Sequence, residues 1–216
     1  MRVAPLGVSR YTVMPIDALD REGAELAAIT HGHSLGYMPA AVLTHILHRI
    51  VYPERAQTLL QIVCEARDTV RALFAGDKHL DELTARIDLA IRLAGNDEPD
   101  LANIHRLGEG WVAEETLAVA IYCALRHADD FSAGIIAAVN HCGDSDSTGA
   151  VTGNILGALL GYDAIDKAWT RNLELRDVIL ELADDLDRRP ECLQDRRNVD
   201  CDWVRKYVQG RAVRTV

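Results

Sequence analysis

Residues 141–161 read HCGDSDSTGAVTGNILGALLG. Gly149, Gly153, Gly157 and Gly161 recur at four-residue steps, so in a helix they share one stripe. Each glycine inside a helix costs about 1 kcal/mol against alanine. Neighbouring helices that close onto a face without side chains offset that cost through dense contact. The stripe therefore predicts a buried central helix packed by other helices. At its mouth stand Asp144 and Asp146, and five of the six residues 144–149 carry a side-chain oxygen. One such residue suffices to cap a helix. Two carboxylates so close repel, and one takes up a proton unless a cation lies between them. Hard oxygen donors favour Mg²⁺, Mn²⁺ or Ca²⁺ over zinc. On residue chemistry alone two readings stand, an elaborate cap and a cation site. A calcium EF-hand loop is excluded: counted from Asp144, position twelve is Ile155, where a bidentate glutamate is needed.

The chain has 216 residues, enough for one full domain. Apolar residues make up 49% and charged residues 26%, which fits a globular protein. The net charge of −10 disfavours a nucleic-acid groove, because phosphate neutralisation needs a basic face. An acidic balance suits cation binding or simply a solvated surface. The five cysteines are scattered without a CxxC pair, which predicts neither a disulfide framework nor a zinc site and fits a reducing cytoplasm. The first residues lack the apolar core of a signal peptide, and no run approaches the length of a membrane span.

Helical patterns run through almost the whole chain. Residues 16–32 repeat Leu19, Gly23, Leu26 and Thr30 at helical steps, with Asp17 as the expected cap. Residues 39–52 form an apolar helix that stops at Pro53, and Pro53 is expected to open the next helix, 53–76, closed by Gly76. A helix over 77–95 has Asp77 as its cap and Gly95 as its stop; a loop at Gly108–Gly110 precedes a buried helix from about Val112 to His127. Residues 129–143 make another apolar helix, and 171–186 a last amphipathic one. Only residues 1–8 pass for a strand. About nine helices joined by short loops give an all-α fold, a compact multi-helix orthogonal bundle over residues 1–187. Residues 188–216 read as a charged C-terminal extension with one short helix near Trp203–Val208.

The stretch GDSDSTGAVTGNILGALLG (143–161) resembles the second metal motif of the ADP-ribosylglycohydrolases, the group of the dinitrogenase-reductase-activating glycohydrolase and the ADP-ribosyl-acceptor hydrolases. MRVAPLG (1–7), THGHSLGY (30–37), LGEGWVAEETLAVAIYCAL (107–125) and NLELRDVILELADDL (172–186) match further, in the family's order. The resemblance implies an all-α fold with a binuclear Mg²⁺ (or Mn²⁺) centre. It also implies hydrolysis of the bond between ADP-ribose C1″ and a protein side chain or another acceptor. Substrates would then be an ADP-ribosylated protein or an ADP-ribose-containing small molecule. Carried onto this chain, Asp144, Asp146 and Ser147 become metal ligands, with the two aspartates catalytic through the ions. His31, Gly32, His33 and Tyr37 lie where the family lines its ADP-ribose cleft, as do Gly110 and Trp111. For His31 and His33 the alternative is a pair of helix-end histidines facing backbone dipoles. For Trp111 it is a core anchor. The other histidines, at 45, 48, 79, 105, 127 and 141, read as packing or surface residues.

The resemblance also implies a segment before Met1 that carries a Gly-Asp motif and a Thr-Asp-Asp group, the source of the remaining metal ligands. No Thr-Asp-Asp occurs in the chain. An N-terminally truncated domain is therefore expected, with apolar helix faces left uncovered and prone to self-association. Fewer ligands mean weaker ion binding. Two rivals to a working hydrolase follow: an inactive remnant that serves as a binding or partner module, and one half of a split enzyme.

Overall fold

The computed structural model describes residues 1–9, 14–187 and 202–207. Among these the secondary structure is helical: α1 (Ala4–Val8), α2 (Ile16–Ala28), α3 (Ser34–Val51), α4 (Leu59–Leu73), α5 (Leu80–Ala94), α6 (Asp100–Leu107), α7 (Ala113–Arg126), α8 (Phe131–Val139) and α9 (Ser145–Leu160). A 3₁₀ turn (Tyr162–Ala164), α10 (Lys167–Thr170), α11 (Arg176–Asp187) and α12 (Asp202–Tyr207) follow. No described helix is long and apolar enough to cross a membrane.

Two helices form the centre. In α7 every residue from Thr116 to Ala124 is buried, as expected of a helix apolar on all sides. In α3 the buried set runs from Ser34 and Leu35 through Met38, Val42, Ile46 and Leu47 to Arg49. Helix α2 packs along α3, α5 and α9 pack on α7, and α8 lies against α9. Met38, Ile46, Leu83, Ile87, Ile121, Ile155 and Leu156 meet in one core with almost no exposed surface.

Helix termini depart from expectation in instructive ways. Residues 4–8 are helical rather than extended, because a proline in the first turn supplies a helical φ where no N–H is needed. Helix α2 starts after Pro15, and Asp17 sits in its first turn without capping it. Its buried stripe is Leu19, Asp20, Gly23, Ala24 and Ala27, while Leu26 and Thr30 face outward. Pro53 does not open α4. Thr58 and Gln61 do, through reciprocal bonds of 3.3 Å (Gln61 N–H to Thr58 Oγ1) and 2.8 Å (Thr58 N–H to Gln61 Oε1). Helix α6 forms after Pro99. Gly95 ends α5 as expected, and His79 rather than Asp77 stands at its N-cap.

The glycine stripe of α9 faces α8, and its four members differ. A Cβ on Gly149 would stand 2.6 Å from Val139 Cγ1, whereas one on Gly153 would sit 3.5 Å from Ile135 Cδ1 in ordinary contact. Gly161 ends the helix at φ +80°. Tight approach is thus confined to the first turns of α9. The fully buried face carries Thr148, Val151, Thr152, Ile155 and Leu156 instead.

A polar network lies in the core between α2, α3 and α4. Asp20 of α2 and His45 of α3 are both fully buried, with Oδ2 and Nδ1 2.7 Å apart. His45 Nε2 is 3.7 Å from Glu65 of α4, which also pairs with Arg49 at 3.0 Å. Three helices are thereby tied at one point. Helix α11, by contrast, buries none of its residues, and Leu173, Leu175, Val178, Ile179 and Leu182 are exposed among the described residues. The charged extension lies outside the described residues except for α12, whose Lys206 pairs with Glu181 and with Asp185 at 2.7 Å.

Candidate active site

The turn before α9 and the loop before α7 meet edge to edge. Helix α6 ends at Gly108, with φ +127°, and Gly110 takes φ +80°, both conformations that favour glycine. Between them Glu109 offers its carbonyl to the Asp144 N–H at 2.7 Å. A Cβ on Gly143 would fall 1.8 Å from that same carbonyl oxygen, so the contact requires glycine at 143. Thr148 fastens the start of α9 from behind: its hydroxyl donates to the Ala138 carbonyl at 2.7 Å, and His141 Nε2 lies 2.9 Å from it. Thr148 is thus occupied in holding the turn.

Asp144 occupies the N-cap position of α9 without closing a side-chain cap, and Asp146 lies in the first turn. The Asp146 carboxyl, and after it the Ser147 hydroxyl, hold Asp144 below the usual carboxylate range. Asp146 is pushed up by the neighbouring Asp144 carboxyl and its negative charge. A divalent cation between two such carboxylates would relieve their repulsion. Ser147 is buried beside them. Two carboxylates and a hydroxyl form an all-oxygen donor set that fits a hard divalent ion. Among the described residues, no third His, Cys, Asp or Glu joins them in a group that could hold a metal. The set fits such an ion in kind and supplies part of its coordination.

Two of these donors, Asp144 and Ser147, border a cavity of about 760 Å³. His31, Gly32 and His33 line it at the α2–α3 junction, Gly110, Trp111 and Glu114 at the start of α7, and Asp144 and Ser147 at the start of α9. Asp146 stands exposed outside the lining, and Tyr37 packs on Phe74, ring centroids 5.9 Å apart, away from the cavity. His33 combines both readings of its position. It lines the cavity, and its Nδ1 accepts the Leu35 N–H at 3.2 Å as the cap of α3. His31 Nδ1 lies 2.8 Å from the Thr30 hydroxyl, with Gly36 leaving room for its ring. Trp111 is 66% exposed, so it is no core anchor; its Nε1–H donates to Glu109 Oε2 at 3.1 Å.

Three further residues belong to this region. His141 braces the aspartate turn, its Nδ1 accepting the Gly143 N–H at 3.1 Å. The His79 ring packs on that of His33, with centroids 4.5 Å apart and planes tilted by 46°. Glu114 lines the cavity while largely buried, and burial pushes its carboxyl above the usual range. Sequence spacing alone hides all three, since each reaches the site from a different helix end. Two glutamates in the first turn after a Gly-x-Gly loop were the one available signal.

Comparisons with known proteins bear on the family. A family model described as ADP-ribosylglycohydrolase matches residues 1–195. The ADP-ribosylarginine hydrolase Tri1 of Serratia proteamaculans is 40% identical over 72 residues, 33% of this chain and 19% of that protein. The ADP-ribosylhydrolase ARH3 of Gallus gallus is 25% identical over 207 residues, covering 86% of this chain and 55% of its own. The human ARH3 is 24% identical over 195 residues, covering 81% and 52% respectively. The chain thus spans about half the length of the ARH3 relatives it matches. No solved structure matches. With a helical fold, an acidic turn at a cavity and a family match over most of its length, the chain belongs to the ADP-ribosylglycohydrolase family.

Proposed function

We propose that the chain acts on ADP-ribosyl linkages, hydrolysing the bond between ADP-ribose C1″ and a protein side chain or another acceptor. The carrying observation is the close pair of carboxylates Asp144 and Asp146, with Ser147, at the start of α9, where Asp144 and Ser147 line a cavity of about 760 Å³. A cavity of that size suits a nucleotide-sized ligand. Asp144, Asp146 and Ser147 would hold Mg²⁺ or Mn²⁺, which when bound supplies an activated water and orients ribose hydroxyls. The two-ion centre of the family needs ligands beyond these three. Around it, Arg2 and the histidines 31 and 33 offer the cavity its basic groups, suited to a diphosphate. Trp111 offers an exposed ring for stacking. The buried Glu114 carboxyl can hydrogen-bond a sugar hydroxyl in either protonation state.

The test is release of ADP-ribose from an ADP-ribosylated peptide in Mg²⁺ or Mn²⁺, followed by mass spectrometry. Arginine-linked peptide comes first, since the Serratia relative is named for that linkage. Release should disappear on chelation and fall by at least about 100-fold in Asp146→Ala, beyond what loss of a residue merely supporting a ligand costs. The partial donor set favours a second reading, a module that binds ADP-ribose without turnover. Calorimetric binding of ADP-ribose with no release at any metal concentration would select it.

A further inference from the structure

One peptide plane connects a residue outside the cavity to the aspartate turn. Glu115 of α7 does not line the cavity. Its Oε2 accepts two backbone N–H groups, from Glu109 and from Gly110, each at 3.1 Å. The carbonyl of the Glu109–Gly110 peptide accepts the Asp144 N–H at 2.7 Å on the opposite side. Because a peptide unit is planar and rigid, holding its N–H fixes the direction of its carbonyl. A charged acceptor on the N–H also polarises the unit and strengthens the bond that its oxygen accepts. Glu115, the Glu109–Gly110 peptide and Asp144 thus form one chain of hydrogen bonds.

The surroundings are built for this chain. Arg86 of α5 has Nη1 3.5 Å from Glu115 Oε1 and donates from the same nitrogen to the Leu107 carbonyl at 2.6 Å, which ties the carboxylate to the end of α6. The Thr116 hydroxyl donates to the Gly110 carbonyl at 2.7 Å, fixing the next peptide as well. Three glycines make the room. A Cβ on Gly108 would stand 2.3 Å from Glu115 Cδ, and one on Gly110 would stand 2.8 Å from Thr148 Cγ2. The third is Gly143, already required by the Glu109 carbonyl.

We propose that Glu115, tethered by Arg86, is the positioning residue of the site: through the Glu109–Gly110 peptide it sets the orientation of Asp144 and holds the Trp111 loop at the cavity. Its relevance to an ion or to ADP-ribose rests on the function proposed above; its effect on Asp144 does not. The experiment therefore reads both. Amide hydrogen exchange of Asp144 is measured by NMR in the full chain and in Glu115→Ala, Glu115→Gln and Val70→Ala. The last is a core truncation in α4 that lowers stability without touching the loop. Mn²⁺ affinity is measured on the same samples, well below their unfolding temperatures.

Asp144 exchange should rise about tenfold or more in Glu115→Ala, the scale of one lost charge-assisted bond. Val70→Ala should leave it near the wild-type rate. Glu115→Gln keeps an amide oxygen for the two N–H groups and should restore most of the protection. Mn²⁺ affinity should weaken about 10–100-fold in Glu115→Ala, as for residues that orient a ligand. Unchanged Asp144 exchange in Glu115→Ala, or an equal rise in Val70→Ala, overturns the positioning role whether or not Mn²⁺ binds. A wild-type chain that binds no Mn²⁺ but shows the exchange pattern retains Glu115 as the determinant of Asp144 and counts against the ion site alone.

Discussion

Replacing Asp20 with alanine is expected to cost about 3–5 kcal/mol of folding stability, because it strips a buried partner from a group that has no water to turn to. Asp20 and His45 are fully buried, and neither Asp20 Oδ1 nor His45 Nε2 has a hydrogen-bond partner. The 2.7 Å contact between Oδ2 and Nδ1 is therefore the main satisfaction either side chain has. Without it, the His45 ring is left against a cavity in the layer that joins α2, α3 and α4. Asp20→Asn keeps an acceptor for the ring and should lose less. The two variants also separate by pH. Burial raises the Asp20 carboxyl above its ordinary value, outweighing the pull of His45, Arg49 and His48. In the unfolded chain it titrates near 3.9, as a free aspartate does. Between those two values the folded state binds the extra proton, so wild-type stability falls as pH rises through that window. Asparagine cannot titrate. The gap between wild type and Asp20→Asn should therefore narrow as pH rises from about 4, read by urea unfolding at each pH. A gap that is constant or widens would contradict the raised carboxyl.

The second large effect belongs to Gly143. An alanine there must displace backbone, since its Cβ would lie 1.8 Å from the Glu109 carbonyl oxygen. The expected cost is about 3 kcal/mol, at the upper end for overpacking, together with loss of the Glu109–Asp144 bond. Gly153 is the contrast. Its Cβ would meet Ile135 Cδ1 at 3.5 Å with no backbone in the way, so Gly153→Ala should gain up to about 1 kcal/mol from helix propensity. Urea midpoints of the two variants would move in opposite directions. Equal destabilisation would mean that the whole glycine stripe, rather than the turn before α9, carries the close packing.

That contrast marks what the residues disclose in order and what they do not. Helical periodicity exposed the all-α class because α3, α4, α5 and α7 each present long apolar faces. Gly-to-Gly spacing located the crowded helix but misplaced the crowding, because spacing reports a stripe and not the depth of its neighbours. Val139 sits hard against Gly149, while Ile135 and Phe131 stand further off from Gly153 and Gly157. Asp144, Asp146 and Ser147 were legible since adjacent carboxylates are costly wherever they occur. His79, His141, Glu114 and Glu115 were not, because their roles come from contacts that spacing does not show: a tilted ring contact, a turn brace, a cavity lining and a bond back to the loop before α7. Tyr37 is the converse case. It lies one helical turn from His33, yet α3 rotates it toward Phe74. Trp111, for which the sequence also allowed a core anchor, is solvent-exposed.

The central claim is that Asp144 and Asp146 jointly grip a divalent ion. Electron paramagnetic resonance of Mn²⁺ titrated into the full chain at neutral pH tests it without any substrate. Bound Mn²⁺ is expected in the wild type, and its loss is expected in Asp144→Ala/Asp146→Ala. The same Mn²⁺ affinity in that double variant, or none in the wild type, would contradict it.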